Sequence, residues 1–271
     1  MKLDFKKIYQ EEHLEKGMSY KEIRNKYNIP RGTWDYHVRQ KLGLSNDGRK
    51  YRVNDNFFSV IDSEIKAYLL GFLYADGYLT NDGRIGININ RKDEEIVKLI
   101  QSNICPNNII EYTNHQDIKR DPQVTIRFTS KKMYSDLEKL GFSLRKTEVD
   151  SDIFNKIPFN FKNHFIRGFC DGDGSIRCKK VKSHYKMGVI FTTGSSKILL
   201  DIDNYLTKGK GRFTNLETYH RLSYESKEIT FQVVNQLYEN ANFFLNRKFQ
   251  IAKEIINLNS NTELTKEIKK S

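Results

Sequence analysis

The sequence predicts an α/β (α+β) protein made of a pseudo-twofold pair of αββαββα repeats, preceded by a small helical domain. Three observations predict it. First, "YLLGFLYADGYL" (Tyr68–Leu79) and "FIRGFCDGDGSI" (Phe165–Ile176) share one pattern: an apolar run with a central glycine that ends in a small residue, an aspartate and a glycine. Second, the same order of alternating and helical segments follows each copy. Third, "FSLRKT" (Phe142–Thr147) and "FLNRKF" (Phe244–Phe249) fall at the same place in both copies. A chain of 271 residues is long enough to bury a full core.

The elements follow in order. Residues 1–45 read as helices. "DFKKIYQEEHLEKG" sets Phe5, Ile8, Tyr9 and Leu14 on one stripe and stops at Gly17. "SYKEIRNKYN" opens with Ser19 and Glu22 at capping-box spacing and turns Ile23 and Tyr27 inward. "IPRGTWDYHVRQKLG" starts a third helix at Pro30, with Ile29, Trp34, Val38 and Leu42 apolar, and ends at Gly43. Two short helices joined by a tight turn, the second bearing Arg31, Tyr36 and Arg39, resemble a DNA-binding helix-turn-helix. A plain helical hairpin that packs on the main body is the alternative. Residues 46–61 are expected to be a basic linker, because their first part is polar and turn-rich.

The first repeat spans 62–160. After its motif helix, "RIGININ" alternates Ile85, Ile87 and Ile89 with polar or small residues, as a half-buried strand does. "DEEIVKLIQSNI" is a helix, "NIIEYTNHQ" and "QVTIRFTS" are strands, and "KKMYSDLEKLGF" closes the unit. The second repeat spans 161–258. It runs through "KMGVIFTTG", "SKILLDIDNYL", "GRFTNLE", "YHRLSYES" and the helix "ITFQVVNQLYENANFF". Residues 259–271 are expected to be a polar tail.

Charge narrows the partners. Lys plus Arg number 46 and Asp plus Glu 34, a formal net charge of +12. With 15 Tyr and 17 Phe this suggests a polyanion: nucleic acid first, an anionic membrane surface second. A lysine-rich composition also arises without any such partner, so charge alone does not decide. No apolar run is long enough to span a bilayer, so no membrane partner is expected. Cys105, Cys170 and Cys178 form no CxxC pair, which predicts a reducing, intracellular setting without disulfides or zinc.

The repeated motif carries the chemistry. Gly71 and Ala75 are four apart, as are Gly168 and Gly172, so each helix offers a strip without bulk. A helical glycine costs about 1 kcal/mol relative to alanine. Accepting that cost twice in register predicts a tight seam between the two motif helices, with Gly71, Ala75, Gly168 and Gly172 at the interface. Asp76 and Asp173 then stand at the C-terminal ends of those helices, where the macrodipole is already negative. Gly77 and Gly174 are expected as left-handed caps. Two carboxylates and the free carbonyls of Ala75 and Gly172, brought together, call for a hard divalent cation.

These paired motifs resemble the LAGLIDADG homing endonucleases, in the single-chain form with two copies, over residues of about 62 to 258. The resemblance implies a saddle-shaped sheet surface on DNA. It implies a monomer that cuts both strands of a long, non-palindromic double-stranded DNA target, with Mg2+ (Mn2+ as a substitute) held by Asp76 and Asp173. It makes Lys146 and Lys248 the basic residues near the scissile phosphates. It points to Asn88, Asn90, Arg127, Arg177, Lys179, Thr192 and Arg212 as DNA-contacting positions on the sheets. It suggests the cytoplasm of a prokaryotic or phage-infected cell, or an organelle matrix. The chain departs from the family pattern at Tyr74, Asp171 and Arg167, which predicts unlike halves. Two rivals share the fold: an RNA maturase that acts on intron RNA, and a DNA-binding regulator that does not cut.

Overall fold

The computed structural model describes residues 3–42, 52–113, 121–142 and 152–268. Helix α1 (Phe5–Ile8) runs on through π-type turns at Tyr9–Glu15. The chain reverses at Gly17, whose φ of +68° favours glycine. Helix α2 (Tyr20–Tyr27) carries the expected capping box: the Glu22 N–H donates to Ser19 Oγ at 3.3 Å and the Ser19 N–H donates to Glu22 Oε2 at 2.9 Å. It ends on left-handed Asn28. Helix α3 (Arg31–Asp35) continues as π-type turns at Tyr36–Lys41. Ile8, Tyr9, Tyr20, Ile23, Ile29, Trp34 and Val38 close a core of their own.

The expected linker needs correction. Phe57, Phe58 and Ile61 are buried in the main core. The Asn54 N–H donates to Ile104 O at 2.7 Å, and Ser59 Oγ donates to Asp136 at 2.6 Å. A polar frame hid three apolar anchors. They strap residues 52–61 onto the first repeat, because burying such side chains is worth about 1.5–3 kcal/mol each.

The body contains the two repeats. The first is α4 (Glu64–Asp76), β1 (Gly77–Leu79), β2 (Arg84–Asn90), α5 (Glu94–Ile104), β3 (Glu111–Thr113), β4 (Gln123–Thr129) and α6 (Lys131–Leu140). After α7 (Ile153–Lys156) the second is α8 (Lys162–Asp173), β5 (Ser175–Val181), β6 (His184–Thr193), α9 (Ser196–Thr207), β7 (Arg212–Asn215), β8 (His220–Tyr224) and α10 (Lys227–Tyr238), followed by α11 (Asn246–Ile268). The antiparallel sheets have equivalent orders, β1-β2-β4-β3 and β5-β6-β8-β7. In the first, Ile85, Ile87 and Ile89 pair with Phe128, Ile126 and Val124 on the buried face. In the second, Val189 and Phe191 pair with Tyr224 and Leu222. The alternate residues form an open polar face in each sheet.

Two helix limits also differ from expectation. Helix α10 stops at Tyr238 rather than running to Phe244; Glu239 is extended and Asn240 is left-handed, with φ of 54°. The polar tail expected at 259–271 continues α11 to Ile268. The start of α11 ties the repeats together: Arg247 Nε donates to Asp93 Oδ1 at 2.6 Å, and the Asn246 N–H donates to Glu95 at 2.8 Å.

Candidate active site and nucleic-acid interface

The motif helices meet backbone to backbone. A Cβ built on Gly71 would lie 2.0 Å from Phe165 O, and one on Gly168 would lie 2.0 Å from Tyr68 O. The two contacts are related by the same offset that separates Asp76 from Asp173, so a pseudo-twofold passes through the seam. In place of that Cβ, each glycine points an α-hydrogen at the opposing carbonyl, a weak Cα–H···O contact. Lower down, Gly172 faces Ala75: its Cβ would be 2.4 Å from Ala75 Cβ and 3.0 Å from Asp76 Oδ2. The Asp76 carboxylate therefore lies against the residue that precedes Asp173.

The glycines after the aspartates are not left-handed. Gly77 (φ −77°, ψ 162°) and Gly174 (φ −89°, ψ 169°) are extended, because the chain passes straight from helix into β1 or β5. Glycine is needed there for space: a Cβ would be 2.5 Å from Leu73 O or Cys170 O, respectively. This fixes each aspartate at the junction of a helix and the innermost part of its strand.

The departures at Tyr74, Asp171 and Arg167 make the halves unlike. Tyr74 packs its ring on Phe142, Phe165 and Phe169. At the equivalent position Asp171 is buried. It accepts from Tyr68 Oη (2.9 Å), Tyr238 Oη (3.0 Å) and the Leu245 N–H (2.8 Å). Burial pushes its pKa up to about 6, against the Leu245 N–H, the Lys248 charge and the two tyrosine hydroxyls, which favour the ionised form. Arg167 is buried too. It donates to Leu237 O and Phe243 O at 2.7 Å each and to Glu64 Oε1 at 2.6 Å, which links α8 to α4 and to the loop after α10.

Lys248 has a role that position alone did not reveal. It is buried, and its ammonium donates to the carbonyls of Cys170 (2.7 Å), Asp171 (2.7 Å) and Gly174 (2.6 Å), with Gly172 O at 3.4 Å. A built-in cation thus caps the negative end of α8. Lys248 holds the helix end that presents Asp173, where the sequence reading had it facing a phosphate. Burial lowers its pKa, opposed by nearby negative charge that includes Asp171 and Asp76. Lys248→Met should keep the stem packing but leave these carbonyls without their donor. We expect a loss of about 3 kcal/mol. At about 2–4 °C per kcal/mol, a thermal melt should fall by roughly 6–12 °C. An unchanged melt would remove Lys248 from this role. Lys146 lies outside the described residues.

The donor set fits a hard cation. Asp76 is half-buried and Asp173 exposed. Among the described residues no group of three or more His, Cys, Asp or Glu is gathered. Water and a phosphate oxygen would complete the shell of an ion held there. Gly172 O also lies 3.4 Å from the Lys248 ammonium. His164 sits with Arg167 and Glu64, and His220 with Asn215, so neither is at the aspartates.

The sheet candidates all fall on the open faces. Asn88 and Arg127 are exposed on the first sheet; Arg177, Lys179 and Arg212 are exposed on the second, with Thr192 half-buried beside them. Asn88 accepts from Thr125, and Arg127 pairs with Glu111. Asn90 is occupied at both ends of its amide: Nδ2 donates to Asp121 at 2.7 Å and Oδ1 accepts the Lys92 N–H at 3.0 Å. It is a loop-fixing residue rather than a free contact. Sequence reading missed Tyr78, whose ring covers Gly86 so closely that a Cβ there would lie 2.4 Å from it. It also missed Lys186, which is directly opposite Lys179. These lysines, with Arg177, His184, Glu225 and Lys227, line a groove of about 590 Å³. Arg31 and Tyr36 are exposed on the N-terminal domain, Arg31 within 3.6 Å of Asp35; the Arg39 side chain lies outside the described residues.

Twinned αββαββα units joined at paired glycine-bearing helices, with an acid at each helix end, define a class of two-sheet proteins with a pseudo-dyad. The fold is that of the LAGLIDADG homing endonucleases in their single-chain, two-motif form. I-LtrWI bound to target DNA superposes with a TM-score of 0.51 at 9% identity, over 77% of this chain and 92% of that one. I-SmaMI bound to uncleaved DNA with calcium ions gives 0.50 at 12%, over 74% and 94%. I-GzeII in complex with its DNA target gives 0.50 at 11%, over 75% and 95%. No protein-family model and no curated protein matches the chain.

Proposed function

We propose that the chain is a site-specific double-strand DNA endonuclease whose two motif aspartates hold divalent metal. The observation that carries this reading is the seam. Two helices approach at backbone distance only because of Gly71 and Gly168, and both end in a carboxylate. A carboxylate at a helix C-terminus opposes the dipole. The DNA complexes of the superposable endonucleases support the choice of substrate.

Within that reading, Asp76 and Asp173 would hold the metal, with Ala75 O as a further donor. A bound divalent ion acidifies water and offsets charge on the phosphate. The protein's own parts do the rest. Lys248 fixes the end of α8, so that Asp173 keeps one position. The Gly77 and Gly174 junctions link each acid rigidly to a sheet, so docking of the open faces on a duplex sets where the acids fall. Arg177, Lys179, Lys186 and Arg212 supply positive charge along the second face. Unlike faces suit a target without symmetry.

The Lys179–Lys186 pair supports a polyanionic partner. Like charges directly across a strand pair are destabilising, and the fold gains nothing from them. Lys186→Glu should therefore stabilise the free protein, by about 0.2–1 kcal/mol. It should weaken duplex binding and lower the log–log salt slope by roughly 0.9 for each phosphate that is no longer neutralised. A variant that binds as tightly, with an unchanged slope, would take this groove out of the interface.

Incubation with Mg2+ and a library of long randomised duplexes tests the whole reading. We expect one recurrent cut sequence. Binding to duplex without any cut would favour the regulator, and retention of intron RNA without DNA cleavage would favour the maturase.

A further inference from the structure

The N-terminal domain has its own core, and the superposable endonucleases leave about a quarter of this chain unmatched. Its layout is helix, left-handed turn, helix. Asn28 (φ 51°) ends α2, the Ile29 N–H returns to Arg24 O at 2.8 Å, and Pro30 starts α3. Trp34 and Val38 turn inward, which leaves Arg31, Gly32, Thr33, Tyr36, Gln40 and Lys41 exposed.

Gly32 is the unexplained residue. A Cβ there would meet nothing within 4 Å, and its φ is not in the left-handed range. The fold has no use for a glycine that costs up to about 1 kcal/mol in a helix. Close approach by an outside surface does require one. Tyr36, four residues on and 53% exposed, shares that face. The domain's acids are mostly used internally. Glu12 is buried among Lys26, Lys16 and Tyr27, with Lys26 and then Lys16 holding its pKa down to about 2. Glu22 is spent on the capping box. The outward face of the helix carries Arg31, paired with Asp35, and Lys41 as its cations. The charge complements a nucleic-acid duplex. A Cβ on Gly17 would lie 2.7 Å from Asn107 Nδ2, which sets the domain beside the loop leading to β3, the strand farthest from β1 in the first sheet.

We infer that this domain reads a second block of the DNA target, with the helix that starts at Arg31 in the major groove, outside the half-site that the first sheet contacts. The inference rests on the proposed DNA-binding reading. The test is selection of bound duplexes from a long randomised library in Ca2+, with wild type, Gly32→Ala and Tyr36→Ala, alongside thermal melts. Wild type should select two sequence blocks at fixed spacing, the extra block on one side only. Both variants should keep the core block and lose the extra one, with about ten-fold weaker binding to a duplex that carries both. Gly32→Ala should melt at the same temperature as wild type or higher. A single block in wild type, or an extra block that survives both variants, overturns the inference. An extra block without a core block would uphold it while sinking the nuclease reading, and the absence of both blocks would sink both.

Discussion

Replacing Gly168 with alanine should destabilise the protein by about 4 kcal/mol or more, beyond the 1–3 kcal/mol common for over-packing. The reason lies in what the new methyl meets. It would stand 2.0 Å from the Tyr68 carbonyl oxygen and 2.9 Å from Phe72 N, both backbone atoms of a helix that cannot rotate away. The helices must separate, and the separation breaks the mirrored contact at Gly71 as well. A melt lowered by roughly 8–16 °C is expected at about 2–4 °C per kcal/mol. Other glycines grade the effect. Gly71→Ala should match it, since its Cβ meets Phe165 O at the same 2.0 Å. Gly172→Ala should cost somewhat less, because its methyl would meet Ala75 Cβ at 2.4 Å rather than a backbone oxygen at 2.0 Å. Gly32→Ala should cost nothing, because it meets open space. If Gly168→Ala melts like Gly32→Ala, the helices do not meet at these glycines.

The seam was legible because its signal is local and doubled. Two glycine strips in register need no knowledge of the rest of the chain. The alternation of Ile85, Ile87 and Ile89 was legible for a similar reason and puts Asn88 on the polar face of that strand, although a one-residue slip would invert it. What failed depended on partners distant in sequence. The linker reading overlooked Phe57, Phe58 and Ile61, which find their core only once α4 and β2 are in place. Position alone put Lys248 near a phosphate. The carbonyls at the end of α8 capture its ammonium, and nothing in "FLNRKF" announces that. Asn90 looked like a reader because its strand phase is right, but both ends of its amide are taken by the next turn and by Asp121. The glycines after the aspartates sit where left-handed caps are expected, but their use is to let a strand leave a helix without a clash. Gly86 in "RIGININ" was a missed signal: a glycine inside a strand marks a close approach, here by Tyr78.

Asp76→Asn and Asp173→Asn should each lower cleavage about a thousand-fold while duplex binding persists. Asparagine keeps the size and the helix-to-strand junction but removes the charge that holds a hard cation. A loss of about 4 kcal/mol of charge stabilisation corresponds to that factor. A carboxylate at a helix C-terminus is unfavourable, so Asp173→Asn should melt close to the wild-type temperature. Asp76→Asn also removes charge that faces Arg247 and Lys248, so it should melt no higher. Binding should hold or tighten, since a negative charge next to the phosphates is gone. The two should nevertheless differ. Asp173 is exposed, at the end of a helix already capped by Lys248. Asp76 is half-buried, against Gly172 and within the field of Lys248 and Arg247. Asp76→Asn should therefore also disturb the Gly172–Ala75 contact and the charge balance around Arg247, while Asp173→Asn acts on its own site. A supercoiled plasmid that carries the selected target separates the cases. Nicked circles from one variant and intact supercoils from the other would mean that the acids serve the strands unequally. Binding in Ca2+ and melts run beside it exclude misfolding. If both variants linearise the plasmid in Mg2+ at the wild-type rate, the aspartates are not the metal centre, and the repeated motif is only the joint between two halves.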